Sequence, residues 1–240
     1  MMAEDLVWIG PDVMASRIIF LPNSSSENDL FIEKLVVFDW VPGISLSQAK
    51  KSVRNLHEAA LNQLGMAKIL EISTRSEEIL GISLSAFNLL FAGNTFSVES
   101  AYQASKVFEN GGPFVDLLNS NSIDAKQDSR LKSSGKLIGF RFEGENYPVT
   151  SAPNFYDYLY VKSLLTFRDR HLINGYEGFT DIAFSQTSLV YKSKKAYNCQ
   201  ARSAAIYCTL SSRYLENDIM TKLRESISNH SIEASQLDLF

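Results

Sequence analysis

The sequence predicts an α+β fold, mainly helical, with much of its β-structure near the N-terminus. Two runs rich in β-branched and aromatic residues, Arg17–Pro22 and Phe31–Val41, flank a Ser/Asn turn at Asn23–Asn28. Beyond residue 75 apolar residues recur at helical spacing, most clearly in Ser97–Phe108, Tyr156–Leu172 and Asn198–Leu215. No internal repeat interrupts this order.

Taken along the chain, Phe31–Val41 carries Val36, Val37, Phe38 and Trp40 and is stopped by Pro42-Gly43. Ser45 or Ser47 then caps a helix bearing Val53, Leu56, Ala60, Leu61 and Leu64, closed by Gly65. Lys68–Ser73 returns as a strand. Residues 1–74 are thus expected to form an N-terminal elaboration packed on the same fold, since no flexible linker follows them. Residues 75–230 form the main domain and 231–240 a tail. Within the main domain, Gly111-Gly112-Pro113 is a turn, and Phe114–Leu118 and Ile123–Leu131 are short helices. Ile138–Phe142 with Tyr147–Val149 suits a small hairpin, Gly175 and Gly178 break the chain, and Met220–Ile227 closes it.

Composition narrows the function classes. At 240 residues and 45% hydrophobic, the chain can bury a real core. Two cysteines, Cys199 and Cys208, without metal-ligand spacing argue against a disulfide framework or structural zinc, and His57, His171 and His230 lie too far apart to suggest a ligand set. No signal or membrane-spanning run is evident, so a cytoplasmic protein with no membrane partner is expected. A net charge of −4 argues against tight nonspecific nucleic-acid binding but allows a local basic groove.

The stretch Ser97–Phe108 reads Ser-Val-Glu-Ser-Ala-Tyr-Gln-Ala-Ser-Lys-Val-Phe. Ser97 suits an N-cap and Glu99 the first turn. On one helix, Glu99, Tyr102, Gln103 and Lys106 fall at i, i+3, i+4 and i+7 and share a face. Spacing alone leaves two readings open, a solvated polar face or a reactive one.

The run resembles the signature helix of the NADAR family of YbiA-like proteins, approximately Ser-Val-Glu-His-Ala-Tyr-Gln-Ala-x-Lys-Phe. Two further segments follow the family's order. Gly81-Ile-Ser-Leu-Ser85-Ala86-Phe87-Asn88 resembles its Gly-x-x-Leu-Ser-Asn-Phe, and Ala125-Lys126-Gln-Asp-Ser-Arg130 resembles its Ala-Lys-x-x-Gly-Arg. The longer phrase from Ile69 to Leu89 resembles the branch that serves as antitoxins of DarT toxins.

The resemblance implies a NADAR fold and a hydrolase, without cofactor or metal, that cuts the N-glycosidic bond between ADP-ribose and guanine in single-stranded DNA. Its partner would be a cognate DarT-type toxin. The chemistry requires a carboxylate beneath the oxocarbenium-like ribose, an acid for the leaving base and cations for two phosphates. Glu99 matches the motif carboxylate and Lys106 the motif lysine. Lys106 could protonate the base, or Lys106 or Lys126 could attack the opened sugar as a Schiff-base nucleophile; both routes stay open. Lys126 and Arg130 suit the pyrophosphate. Ser85 and Asn88 suit ribose hydroxyls, with Phe87 beneath them. Tyr102 or Gln103 would orient the carboxylate, and Asp181 and Asn198 match late polar positions loosely.

Ala86 and Ser129 depart from the family's asparagine and glycine, and its downstream tryptophans are missing, with Phe155, Tyr156 or Phe184 the nearest substitutes. Lys192, Lys194 and Lys195 between Tyr191 and Tyr197 have the composition of a single-strand-tracking patch, or of a solvated loop. The terminal Gln236-Leu237-Asp238-Leu239-Phe240 resembles the bacterial sliding-clamp-binding peptide, with Gln236, Leu237, Leu239 and Phe240 as contacts; an ordinary terminus folding back is the other reading. Alternative functions are a YbiA-like N-glycosidase of a riboflavin-pathway intermediate and a non-catalytic antitoxin that masks the toxin.

Overall fold

The computed structural model describes residues 13–26, 29–91, 96–184 and 199–225. Strands β1 (Val13–Pro22) and β2 (Phe31–Trp40) form an antiparallel hairpin in register from Val13↔Trp40 to Pro22↔Phe31. Helix α1 (Leu46–Leu64) starts at Ser45, whose hydroxyl accepts from the Gln48 N–H while Gln48 reaches back to the Ser45 N–H. It ends at Gly65, whose left-handed φ of 71° lets its N–H reach Leu61 O at 2.9 Å. Val53, Leu56 and Ala60 of α1 bury against Ile19, Val36 and Phe38 of the hairpin. Polar side chains on the same helix cover part of the free β2 edge: Gln63 bonds the Val37 backbone and Asn55 the Asp39 carbonyl.

The chain continues through β3 (Ile69–Glu71), α2 (Ile79–Ser83), α3 (Val98–Ala104), β4 (Lys106–Phe108), α4 (Ser122–Gln127) and α5 (Arg130–Ser133). Strands β5 (Leu137–Phe142) and β6 (Glu145–Pro148) follow, then α6 (Ala152–Leu164), β7 (Gly178–Thr180) and α7 (Gln200–Arg213). A further helical run occupies 216–225. The architecture is α+β. One sheet has the order β2-β1-β7-β3 and the other β4-β5-β6. Strand β7 lies antiparallel to β1, with Phe20 opposite Phe179, and parallel to β3.

The main core joins both sheets to α3, α6 and α7. Phe20, Leu70 and Phe179 come from the first sheet, Phe140 and Phe142 from the second, and Phe155, Tyr156 and Leu159 from α6. The small residues Ala201, Ala204 and Ala205 bring α7 close against these layers.

Several segments differ from the spacing-based expectations. The signature helix stops at Ala104 rather than running to Phe108. Ser105 Oγ donates back to Ala101 O at 2.6 Å, and the β-branched Val107 then follows in a strand, with Lys106 paired opposite Phe140. Lys106 is therefore a strand residue. Helix α6 begins at Ala152 and ends at Leu164, and 3-10 geometry follows at Arg170–Gly175. The three-residue strands β4 and β7 are too short for a period-two pattern to mark them. No helix among the described residues is long and apolar enough to cross a membrane.

Candidate active site

Backbone and serine contacts draw the three sequence motifs into one place. Ser97 caps α3 by accepting from the Ser100 N–H at 3.1 Å. Its hydroxyl lies 2.7 Å from Ser122 Oγ, which donates to Phe87 O, also at 2.7 Å. The Glu99 N–H donates to Ala86 O at 2.9 Å. Gly81 lets α2 pack closely on the end of β3, since a Cβ there would stand 2.1 Å from Glu71 O.

A cleft of about 360 Å³ opens at this junction, lined by Ser85, Phe87, Glu99, Lys126 and Asp181 together with Ser73, Arg75, Tyr156, Phe184 and Gln200. Glu99 is only 2% exposed. Gln103 Nε2 donates to Glu99 Oε1 at 2.8 Å, and Lys106 Nζ donates to Gln103 Oε1 at 2.7 Å. Neither Gln103 nor Lys106 is on the cleft lining; from its strand position Lys106 reaches the carboxylate through the Gln103 amide. Burial pulls the Lys106 ammonium down from 10.5 to about 8, with Lys126 adding to the shift and Glu99 opposing it. Lys126 Nζ stands 3.5 Å from Glu99 Oε1 and 4.8 Å from the Phe87 ring centroid.

The far wall is a second polar network. Gln200 Nε2 donates to Asp181 Oδ2 at 3.0 Å while its carbonyl accepts from the Ala86 N–H, so one amide clamps the motif loop to the end of β7. Burial raises the Asp181 carboxyl, opposed by bonds from Gln200 and the Ala183 N–H. Behind it, buried Glu71 accepts from Ser73 Oγ at 2.6 Å, Thr180 Oγ1 at 2.7 Å and the Ile182 N–H at 3.0 Å. Burial and the nearby Asp181 charge push the Glu71 carboxyl upward despite these donors. His57 Nε2 lies 2.9 Å from Thr180 Oγ1; the threonine proton is already given to Glu71, so Nε2–H donates.

A carboxylate sealed from solvent at the floor of a cleft with two cations on its lining suits stabilisation of a developing positive charge next to an anionic substituent. Among the described residues there is no group of three or more histidines, cysteines or acids that could hold a metal.

A family model described as the DarT1-associated NADAR antitoxin matches residues 15–235. The chain belongs to this family. No curated protein matches it. The match begins within β1 and so takes in the N-terminal hairpin as well as the motif segments. The family description links the antitoxin functionally to a DarT1 toxin.

In this NADAR antitoxin some expected residues stand away from the cleft. The Arg130 guanidinium is held by Asp128 at 2.9 Å and Asp116 at 2.6 Å and lies on the Phe114 ring, outside the cleft lining. Asn88 donates to Ile82 O, closing the α2 turn. Tyr102 packs among Phe140, Phe155 and Tyr156 in the core, with Lys106 Nζ 5.0 Å from its ring centroid. Of the aromatic substitutes, Tyr156 and Phe184 line the cleft and Phe155 does not. Asn198, Lys192, Lys194, Lys195, Gln236, Leu237, Leu239 and Phe240 lie outside the described residues. Sequence reasoning assigned no site role to Arg75, Ser73 or Gln200. Arg75 stood in the antitoxin-like phrase; Gln200, one residue into a helix, carried no signal of its own.

Proposed function

We propose that this NADAR antitoxin is an ADP-ribosylglycohydrolase that cleaves the N-glycosidic bond between ADP-ribose and guanine in single-stranded DNA, reversing the toxin's modification. The observation that carries the reading is Glu99, a buried carboxylate at the cleft floor, held by Gln103 and faced by Lys126. As the C1″–N bond breaks, its electrons pass to the guanine amine and positive charge grows on the ribose, where Glu99 stabilises it. The leaving amine takes a proton, and water adds to C1″.

Lys106 fits either of two roles. With its ammonium near 8, it can give a proton to the leaving base near neutral pH. As a free amine it can add to C1″ of the ring-opened guanine iminium; the guanine amine then takes a proton and leaves, and water hydrolyses the remaining Lys106–C1″ imine to free ADP-ribose.

The test is incubation with a guanine-ADP-ribosylated single-stranded oligonucleotide, wild type beside Glu99→Gln. Release of free ADP-ribose by the wild type alone supports the reading. Release by neither rejects it, and rescue of toxin-expressing cells by Glu99→Gln then points to masking. Release by both keeps the activity and removes Glu99 from its centre, leaving Asp181 as the other cleft carboxylate. Turnover of a riboflavin-pathway N-glycoside in preference to the oligonucleotide moves the assignment to the YbiA-like reaction.

A further inference from the structure

We propose that Arg75, not Arg130, is the guanidinium that anchors the diphosphate of the substrate; this rests on the glycohydrolase reading of the same cleft. Arg75 is the only arginine among the described cleft-lining residues. It is half-buried, and its guanidinium takes no hydrogen-bond or salt-bridge partner among the described residues. Nearby arginines are already engaged. Arg130 is bonded by two carboxylates, Arg202 by Asp157, and Arg17 by the Ile182 carbonyl while lying over Trp40.

The loop that carries Arg75 is fixed rather than loose. Ser73 Oγ accepts from the Arg75 N–H at 3.0 Å and donates to buried Glu71 at 2.6 Å, and the Ser76 N–H donates to Ser73 O at 3.1 Å. A partly desolvated guanidinium presented on such a turn has five donors to satisfy. Its planar fork matches two oxygens of a phosphate, whereas a lysine offers a point charge. Asp181 is the nearby counter-charge from the cleft wall, but Gln200 and the Ala183 N–H occupy its oxygens. A dianionic diphosphate meets Arg75 and Lys126 on the lining and leaves the ribose carbon for Glu99.

The experiment measures calorimetric binding of free ADP-ribose, adenosine and an unmodified single-stranded oligonucleotide to the full chain. Wild type is compared with Arg75→Ala, Arg75→Lys and Arg75→Gln, each checked for an unchanged thermal midpoint. Arg75→Ala is expected to weaken ADP-ribose about tenfold to a hundredfold, with adenosine unchanged and Arg75→Lys recovering only part of the loss. In turnover, KM rises while kcat is largely kept. Equal ADP-ribose affinity in all four proteins overturns the proposal. So does a loss confined to the oligonucleotide, which assigns Arg75 to the DNA backbone instead. Arg75-dependent ADP-ribose binding by a wild type that releases nothing from modified DNA leaves the anchor standing and removes the glycohydrolase reading. Unchanged KM in an active Arg75→Ala enzyme does the reverse.

Discussion

Lys126 Nζ lies 3.5 Å from Glu99 Oε1, a half-exposed cation beside a carboxylate sealed from water. The two come from different helices, α4 and α3, and meet because Ser122 and Ser97 bond each other at the two helix starts. An ion pair with one partner in solvent adds only about 0–1 kcal/mol to stability. Lys126→Gln is therefore expected to leave the thermal midpoint within a few degrees while raising KM for the modified oligonucleotide about tenfold. A large loss of stability would assign the lysine to the fold instead.

The pH profile of turnover reads Lys106. Its ammonium is pulled from 10.5 to about 8 by burial, so kcat/KM is expected to show an ionisation close to pH 8 that vanishes in Lys106→Gln. Activity that falls above this pH marks a proton donor. Activity that rises toward it, with an adduct trapped by borohydride, marks the imine route. A profile flat through this range in wild type removes Lys106 from the chemistry.

His57 gives a stability prediction with a definite sign. Burial lowers its imidazole from 6.5 to about 4, so between these pH values the unfolded chain binds a proton that the folded chain does not. Its contribution is complete above 6.5 and is lost as pH falls through about 4. Glu71, raised in the fold, acts with the opposite sign over part of the same range. The difference between wild type and His57→Gln isolates the imidazole. On acidification, urea unfolding is expected to show wild type losing on the order of 3 kcal/mol relative to the variant. No such relative loss would place a protonated His57 in the folded protein.

The buried pair Asp157–Arg202 joins α6 to α7 at 3.1 Å, with Ser203 Oγ donating to Asp157 at 2.6 Å. Arg202→Met leaves that carboxylate buried without its cation and is expected to cost about 3–5 kcal/mol. Adding Asp157→Leu removes the stranded charge and is expected to restore much of the loss. Calorimetric unfolding of the two variants checks the order, and a neutral single substitution would contradict it.

Gly81 predicts a link between fold and site. A Cβ there meets Glu71 O at 2.1 Å and Ser76 Oγ at 2.4 Å, so Gly81→Ala must push α2 off the turn that carries Arg75. About 1–3 kcal/mol of destabilisation is expected, with activity falling further than stability because Ser85 and Phe87 ride on the displaced segment. Equal activity at equal fold would show that the loop tolerates the shift.

The sequence by itself determined the α+β class, the hairpin and α1 with its caps at Ser45 and Gly65, because these rest on local periodicity and capping chemistry. It also determined the three motif segments and, through Glu99, Ser85, Phe87, Lys126 and Asp181, much of the cleft lining. Tertiary structure decided the rest. Whether Lys106 continues a helix depends on its pairing opposite Phe140, a contact across more than thirty residues. Arg130 is taken up because Asp116 and Asp128 come to lie on it, whereas no side chain among the described residues bonds the Arg75 guanidinium, the Asp181 oxygens being met by Gln200 and the Ala183 N–H. Gln200 became a clamp only when β7 and the Ala86 loop were brought to either side of it. A residue type and its spacing state what a side chain can do locally; which partners consume its charge and hydrogen bonds is fixed by long-range packing, and that decides which side chains remain for a ligand.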